Sequence, residues 1–293
     1  MSARGTRRAA IGDLAAKKAA GEPIVMVTAY DYPGAQVAEA AGVDVVLVGD
    51  SGAMTVLGYE STVPVTVDEM IMLGRAVRRG MTRPLHVADL PFGSYEASDE
   101  LAVTTAQRFV KETGCDAVKI EGGGRTVDRA AAIVAAGIPV MGHVGLTPQT
   151  AGALGGYRAQ GRTADEALAV CRDALALQGA GCFSLVIEAV PSPLAAALMP
   201  RLHVPVIGIG AGPAVDGQVL VLHDLLGIHD GPAARFVKRY DGLRERMIDG
   251  VAAYAADVRA GSYPGPEHQY GMPEAESARL AELLGDLEDG ANR

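Results

Sequence analysis

Short apolar runs recur along the chain: VMVTAY (25–30), VDVVLVGD (43–50), PLHVADL (84–90), DAVKIEG (116–122), PVMGHVGL (139–146), FSLVIEAV (183–190) and PVIGIGAG (205–212). Each is rich in β-branched residues and bounded by Gly or Pro, the signature of a strand. The runs are mostly continuous rather than alternating, as parallel strands buried on both faces require. VLVL (219–222) is a weaker eighth candidate. Between the runs, apolar residues return at helical spacing over 34–41, 67–79, 100–112, 127–136 and 164–178. Asp99 stands where a helix N-cap is expected, and Gly114 and Gly137 stand where helices should stop. Strands alternating with helices make βα units and a parallel sheet. Seven or eight such units predict a (β/α)8 barrel, the TIM-barrel class of α/β fold. A doubly wound open sheet is the alternative.

The remaining segments refine this picture. Residues 147–163 form a Gly-rich polar loop, longer than a usual βα connection, of the kind that serves as a lid or binding loop. Residues 233–260 have a helical pattern, the chain from 262 is rich in Pro and Gly, and 274–289 is acidic and roughly helical. The basic opening, MSARGTRRAA, reads as a short tail leading into a helix, with a transit peptide as the alternative. The expected organisation is one barrel domain over 1–293, with a helical extension at 1–23 and a peripheral acidic tail at 262–293.

Composition narrows the function classes. Apolar residues make up 49% of the chain, enough for a large core, and the net charge of −9 offers no basic face to nucleic acid. No apolar run reaches membrane-spanning length, so a cytoplasmic protein without membrane or nucleic-acid partners is expected. Cys115, Cys171 and Cys182 form no CxxC or metal spacing and have no paired base motif.

In such a barrel the active site lies where strands end. Strand two ends at Asp50 and Ser51, strand three carries Asp89, strand four Lys119 and Glu121, strand five His143, and strand six Glu188. One Asp at a strand tip is an ordinary turn residue. Several carboxylates around one mouth repel unless a cation or protons offset them. The donors Asp50, Asp89 and Glu121 are all oxygen, which suits Mg²⁺, with Mn²⁺ or Co²⁺ as substitutes, and His143 alone does not make a zinc site. A divalent ion beside a lysine suits a 2-oxo acid, whose carboxylate and ketone oxygens chelate it as an enolate forms. Glu188 lies among apolar residues, where desolvation should raise its pKa toward a general base; a buried ion pair with Lys119 is the alternative. IGIGAG lacks the dinucleotide fingerprint, and its glycines are expected to let backbone approach a ligand or turn tightly. His86 and His203 read as satisfied core or surface histidines.

Taken in order, VMVTAYDYPGAQVAEAAGVDVVLVGDS, LGYESTVPVTVDEM, VADLPFGSYEAS, AVKIEGG, PVMGHVGLTPQ, GGYRAQGRT, FSLVIEAVP, IGIGAGPAVDGQVLVLHDLLG and ARFVKRY, spanning 24–268, resemble the ketopantoate hydroxymethyltransferase family. The resemblance implies a barrel of the phosphoenolpyruvate mutase/isocitrate lyase superfamily. It implies one Mg²⁺ per subunit, 5,10-methylenetetrahydrofolate as co-substrate, and a homo-oligomer, typically a decamer. The implied reaction turns 3-methyl-2-oxobutanoate into 2-dehydropantoate on the way to pantothenate and coenzyme A. An enolate attacks the folate's methylene carbon, and hydrolysis follows. By the same resemblance Asp50 and Asp89 hold the metal, Glu121 supports it, Ser51 and Lys119 hold the 2-oxo acid, His143 lines the pocket and Glu188 accepts the proton. Gly52-Ala53 departs from the bulkier residue common after VGDS. Two rival readings stay open: a lyase or aldolase of the same superfamily, although no KKCGH-like loop is present, and a non-catalytic ligand-binding barrel.

Overall fold

The computed structural model describes residues 7–231 and 234–291; the opening 1–6 of the basic tail and residues 232–233 lie outside the described residues. Eight strands follow one another: β1 (Ile24–Thr28), β2 (Val45–Val48), β3 (Leu85–Asp89), β4 (Ala117–Glu121), β5 (Val140–Gly145), β6 (Ser184–Glu188), β7 (Val206–Ile209) and β8 (Gly217–Leu220). They close in chain order into a barrel whose pairings are all parallel, so the barrel expectation holds and the open sheet does not. Around them run α1 (Ile11–Ala20), α2 (Tyr32–Ala40), α3 (Gly52–Thr55), α4 (Val67–Gly80), α5 (Asp99–Thr113), α6 (Arg125–Ala135), α7 (Ala164–Gly179), α8 (Ser192–Leu198) and α9 (Leu222–Leu226). Two further helices, α10 (Leu243–Ala260) and α11 (Glu274–Ala291), complete the chain.

Local chemistry sets the helix ends. Thr66 and Glu69 form a reciprocal capping box at the start of α4, as do Thr163 and Glu166 at α7, each satisfying amides that the first turn leaves unpaired. At α5 the cap is Ser98, whose hydroxyl accepts the Leu101 N–H at 3.1 Å. Asp99, expected as the cap, is instead the first helical residue, where its charge favours the helix dipole. Gly114 ends α5 in the left-handed conformation, φ 68°. α4 turns Met70, Ile71, Leu73, Gly74 and Val77 onto the barrel, one stripe at helical spacing.

Alternation along each strand separates two apolar cores. Outward residues such as Val46, Val118 and Leu185 join the helix-facing core. Inward residues such as Met26, Leu47, Val87, Met141, Val186 and Ile207 fill the barrel, with Leu14 of α1 packed into the same cluster. The same parity points Asp89, Lys119, Glu121, His143 and Glu188 inward near the strand ends.

The chain divides into two compact units, Met1–Asp241 and Gly242–Arg293. The first is the barrel. The second holds α10 and α11, and α10 buries none of its residues. The helix expected over 233–260 begins only at Leu243. Residues 238–241 offer charge rather than an apolar face, and Tyr240 N–H is tied to the Leu225 carbonyl at 2.8 Å. Among the described residues no helix is long and apolar enough to cross a membrane.

The eighth strand begins at Gly217, two residues before the expected VLVL run, because only there can it meet both neighbours. Gly217 pairs with Ile24 of β1 and Ile207 of β7. A Cβ on Gly217 would lie 2.4 Å from the Ile24 carbonyl oxygen and 2.7 Å from its Cβ. Gly217→Ala should therefore destabilise the fold by roughly 1–3 kcal/mol, as overpacking does. Urea denaturation checks this, and a midpoint equal to wild type would contradict the close seam.

Candidate active site

Strand register lays the polar residues side by side. Asp89 of β3 is level with Lys119 of β4, and Glu121 with His143 of β5. Lys119 Nζ lies 3.0 Å from Asp89 Oδ1 and 3.6 Å from Glu121 Oε1. His143 bridges two acids: Nδ1 is 3.2 Å from Glu121 Oε1, and Nε2 is 3.3 Å from Glu188 Oε2. The contacts of Asp89 Oδ1 with Lys119 and of His143 Nε2 with Glu188 are ion pairs at 3.0 and 3.3 Å whose angles fall short of a well-formed hydrogen bond.

Asp50 and Ser51 follow β2 on a turn that Gly49 allows. The Asp50 N–H donates to Asp89 Oδ2 at 3.1 Å, and the Ser51 hydroxyl is 2.8 Å from the Tyr30 hydroxyl. From the loop after β5, Gln149 reaches into the same mouth. Its side-chain amide donates to Asp50 Oδ2 and to the Leu90 carbonyl, both at 2.9 Å, and its backbone N–H donates to Glu121 Oε2 at 3.2 Å. Tyr95 OH donates to Gln149 Oε1 at 2.6 Å and accepts the Glu121 N–H at 3.2 Å.

The electrostatics follow from burial against charge. Burial, then Glu121 and Asp89, pushes the Asp50 carboxyl well above its usual range. Asp89 is also raised, chiefly by burial, against the pull of Lys119. Burial opposes charge on Lys119, but Asp89, Glu121 and Asp50 outweigh it, and the ammonium is held firmly protonated. For Glu121, burial is overcome by His143 and Lys119, and its carboxyl is held low. For His143, burial and Lys119 act against the imidazolium, yet Glu121 and Glu188 raise it to about 9. Four acids thus face one ammonium and one imidazolium, and the raised Asp50 and Asp89 carboxyls lie where a divalent cation would take the place of a proton.

The donor set fits Mg²⁺ in a particular way. Among the described residues no three His, Cys, Asp or Glu side chains make a ready metal cage. Both oxygens of Glu121 already have partners, and Gln149 occupies Asp50 Oδ2. Asp89 Oδ1 is buried with the Lys119 ammonium 3.0 Å away and no hydrogen bond of good geometry. Mg²⁺ commonly takes one or two carboxylates and completes its shell with waters and ligand oxygens, which Asp50 and Asp89 could supply and leave room for.

All six expected side chains, with Ser51, line one cavity of about 180 Å³ at the barrel mouth. Glu188 differs from expectation in its surroundings. Its side chain keeps 16% exposure and its near cation is His143, so neither a wholly apolar enclosure nor a pair with Lys119 describes it. Gln149 and Tyr95 were not anticipated; amide and phenol side chains in TPQ and GSY carry no pattern that marks them. His86 is fully buried but not satisfied, since neither ring nitrogen has a partner; burial, then Arg78 and Arg8, holds it neutral at about 3. His203 is exposed, as expected of a surface histidine. Close approaches at IGIGAG come from the chain itself: a Cβ on Gly210, φ 67°, would meet the Phe236 ring at 2.5 Å, and one on Gly212, φ 84°, would meet Ser192 Oγ.

A family model described as ketopantoate hydroxymethyltransferase matches residues 8–266. The 3-methyl-2-oxobutanoate hydroxymethyltransferase of Geobacillus kaustophilus is 52% identical over 263 residues, 90% of this chain and 94% of its own. That of Frankia alni is 54% identical over 264 residues, 90% of this chain and 86% of its own. A rice relative (Oryza sativa subsp. japonica) named as mitochondrial is 52% identical over 269 residues, covering 90% of this chain and 74% of its own. Among solved structures, phosphonopyruvate hydrolase complexed with oxalate and Mg²⁺ is similar, with a TM-score of 0.59 at 14% identity over 95% of this chain and 98% of that one. 2,3-Dimethylmalate lyase, of the PEP mutase/isocitrate lyase superfamily, has a TM-score of 0.54 at 16% identity over 96% of this chain and 98% of that one. At these identities the likeness to the solved structures is one of fold.

The Gln149 network generates a test. Gln149→Leu removes the amide that donates to Asp50 Oδ2 and the oxygen that accepts from the Tyr95 hydroxyl, while keeping volume. Partners of a ligand typically carry about 10–100-fold of metal affinity. Mn²⁺ binding followed by electron paramagnetic resonance should weaken by roughly tenfold or more. Wild-type affinity in a folded variant would show that Gln149 does not orient Asp50.

Proposed function

The chain belongs to the ketopantoate hydroxymethyltransferase family and acts as a 3-methyl-2-oxobutanoate hydroxymethyltransferase of pantothenate biosynthesis; from that premise we propose how the barrel mouth does it. Asp50 and Asp89 would hold one Mg²⁺ per subunit, with Glu121 supporting it. When bound, the ion supplies Lewis acidity to a chelated 2-oxo acid. Lys119 adds a positive charge beside the carboxylate and ketone oxygens, and Ser51 donates to them.

The observation that carries this reading is the mixed lining of the cavity: Asp50, Asp89, Lys119, Glu121, His143 and Glu188 line it together with the apolar Leu47, Val186, Ile209 and Val219. A 2-oxo acid with a branched apolar end matches both kinds of lining: its polar head suits the acids and lysine, its two methyls the apolar side chains. That orientation brings the branched carbon, C3, toward Glu188 at the end of β6. Glu188 takes the C3 proton. His143, 3.3 Å away, holds the carboxylate in place through its other bond to Glu121. The one-carbon donor is 5,10-methylenetetrahydrofolate. Its methylene carbon bonds to C3, and water provides the hydroxyl oxygen. Donor, oxo acid and one water become 2-dehydropantoate and tetrahydrofolate. Cys115, Cys171 and Cys182 line no part of this cavity, which disfavours a cysteine-assisted lyase.

Glu188→Gln tests the assignment. Loss of a general base costs about 10²–10⁴-fold in turnover. The variant should lose that much kcat and lose C3 proton exchange in D2O, while its Kd for 3-methyl-2-oxobutanoate stays within about twofold. Proton exchange at the wild-type rate would remove Glu188 from the role.

A further inference from the structure

The inner cavity cannot hold the whole reaction. At about 180 Å³ it suits a five-carbon acid and is small for a second, drug-sized molecule, which typically needs roughly 300 Å³ or more. Yet the donor's methylene carbon must reach van der Waals contact with C3, beside Glu188. A further cavity meets that requirement. It measures about 650 Å³, and Glu188, Tyr157 and Phe236 line both it and the inner cavity. Other cavities do not qualify: one reaches Glu121 but not Glu188, and two open among residues at the strand starts, such as Pro84 and Ile24.

We propose that this outer cavity binds the folate donor, with its methylene-bearing end at the wall formed by Tyr157, Glu188 and Phe236 and its glutamyl carboxylates at Arg158 and Arg235. This rests on the reading of Glu188 as the base and of a folate as donor. The chemistry of the walls matches the ligand's two ends. Leu146 and Val190 give apolar surface, and the rings of Tyr157 and Phe236 suit a flat aromatic ligand. On an acidic chain, this cavity is lined by two guanidinium groups. Arg235 has no hydrogen bond or ion pair among the described residues. Arg158 spends only Nε, on the Leu154 carbonyl at 3.1 Å, which leaves its terminal nitrogens for a carboxylate. Tyr157 and Arg158 come from the long Gly-rich loop after β5, and Phe236 is seated at the β7 end by the absence of a side chain on Gly210. The loop read as a binding loop thus meets the glycine-rich strand end around one space.

Two variants test this: Arg158→Ala/Arg235→Ala, which removes the cations, and Ala234→Trp, which fills the space from an exposed position. Steady-state kinetics give KM for methylenetetrahydrofolate and for 3-methyl-2-oxobutanoate. Folate-free exchange of the C3 proton in D2O, with Mg²⁺, reads the inner site alone. The KM for the donor should rise roughly tenfold or more in both variants, the loss of one or two charge-assisted contacts or of the space itself. The double variant should also lose the wild type's preference for p-aminobenzoylglutamate over p-aminobenzoate as a competitive inhibitor. The loss should be confined to donor-dependent steps. An unchanged donor KM in both variants overturns the proposal, as does a fall in C3 exchange equal to the fall in transfer. A wild-type chain that transfers the group without C3 exchange overturns the role of Glu188 alone, since the donor KM of the variants still decides the cavity.

Discussion

The ammonium of Lys119, set between Asp89 and Glu121 inside the barrel, is the interaction on which the rest of the site depends. Three buried acids this close would each hold a proton, and none could then serve a cation or orient a neighbour. His143 and then the ammonium keep Glu121 ionised, and Glu121 and Glu188 hold His143 as the imidazolium against burial and the opposing charge of Lys119. The charges run along the strands from Asp89 through Lys119 and Glu121 to His143, each at ion-pair distance from the next, and His143 lies 3.3 Å from Glu188. Burial amplifies every link, because the low dielectric that penalises a lone charge strengthens a paired one.

Gln149 and Tyr95 add geometry to that charge. They tie a loop after β5 to the turn after β2 and to the end of β4, so that three separate elements agree on where Asp50 points. Side-chain amides and phenols are suited to this, since they fix direction without adding to an already crowded charge balance.

Most of the barrel and its acids were legible in the sequence for one physical reason. A parallel strand buried on both faces must be apolar, so a carboxylate or lysine within the run stands out, and its parity says which way it points. Asp89, Lys119, Glu121, His143 and Glu188 were visible in this way. Gln149 and Tyr95 were not, because a loop has no parity and their value lies in partners from distant segments. Ser98 displaced Asp99 as a cap because both types cap well and only backbone geometry decides between neighbours. The division at Gly242 was hidden for a similar reason: helical spacing reports a helix but not the body to which it belongs. The chemistry of the donor was readable from resemblance alone, and no residue pattern pointed to a folate.

The seam between β1 and β8 has a consequence for how the chain is made. Ile24 finds its partner only in Gly217, so the first strand leaves the ribosome with one edge bare and keeps it bare until the last strand follows. Local βα units can form meanwhile, but closure is the contact of greatest sequence separation and the slowest to reach. A chain cut short before Gly217 is therefore an open sheet with two unpaired edges rather than a smaller barrel, a species prone to aggregate.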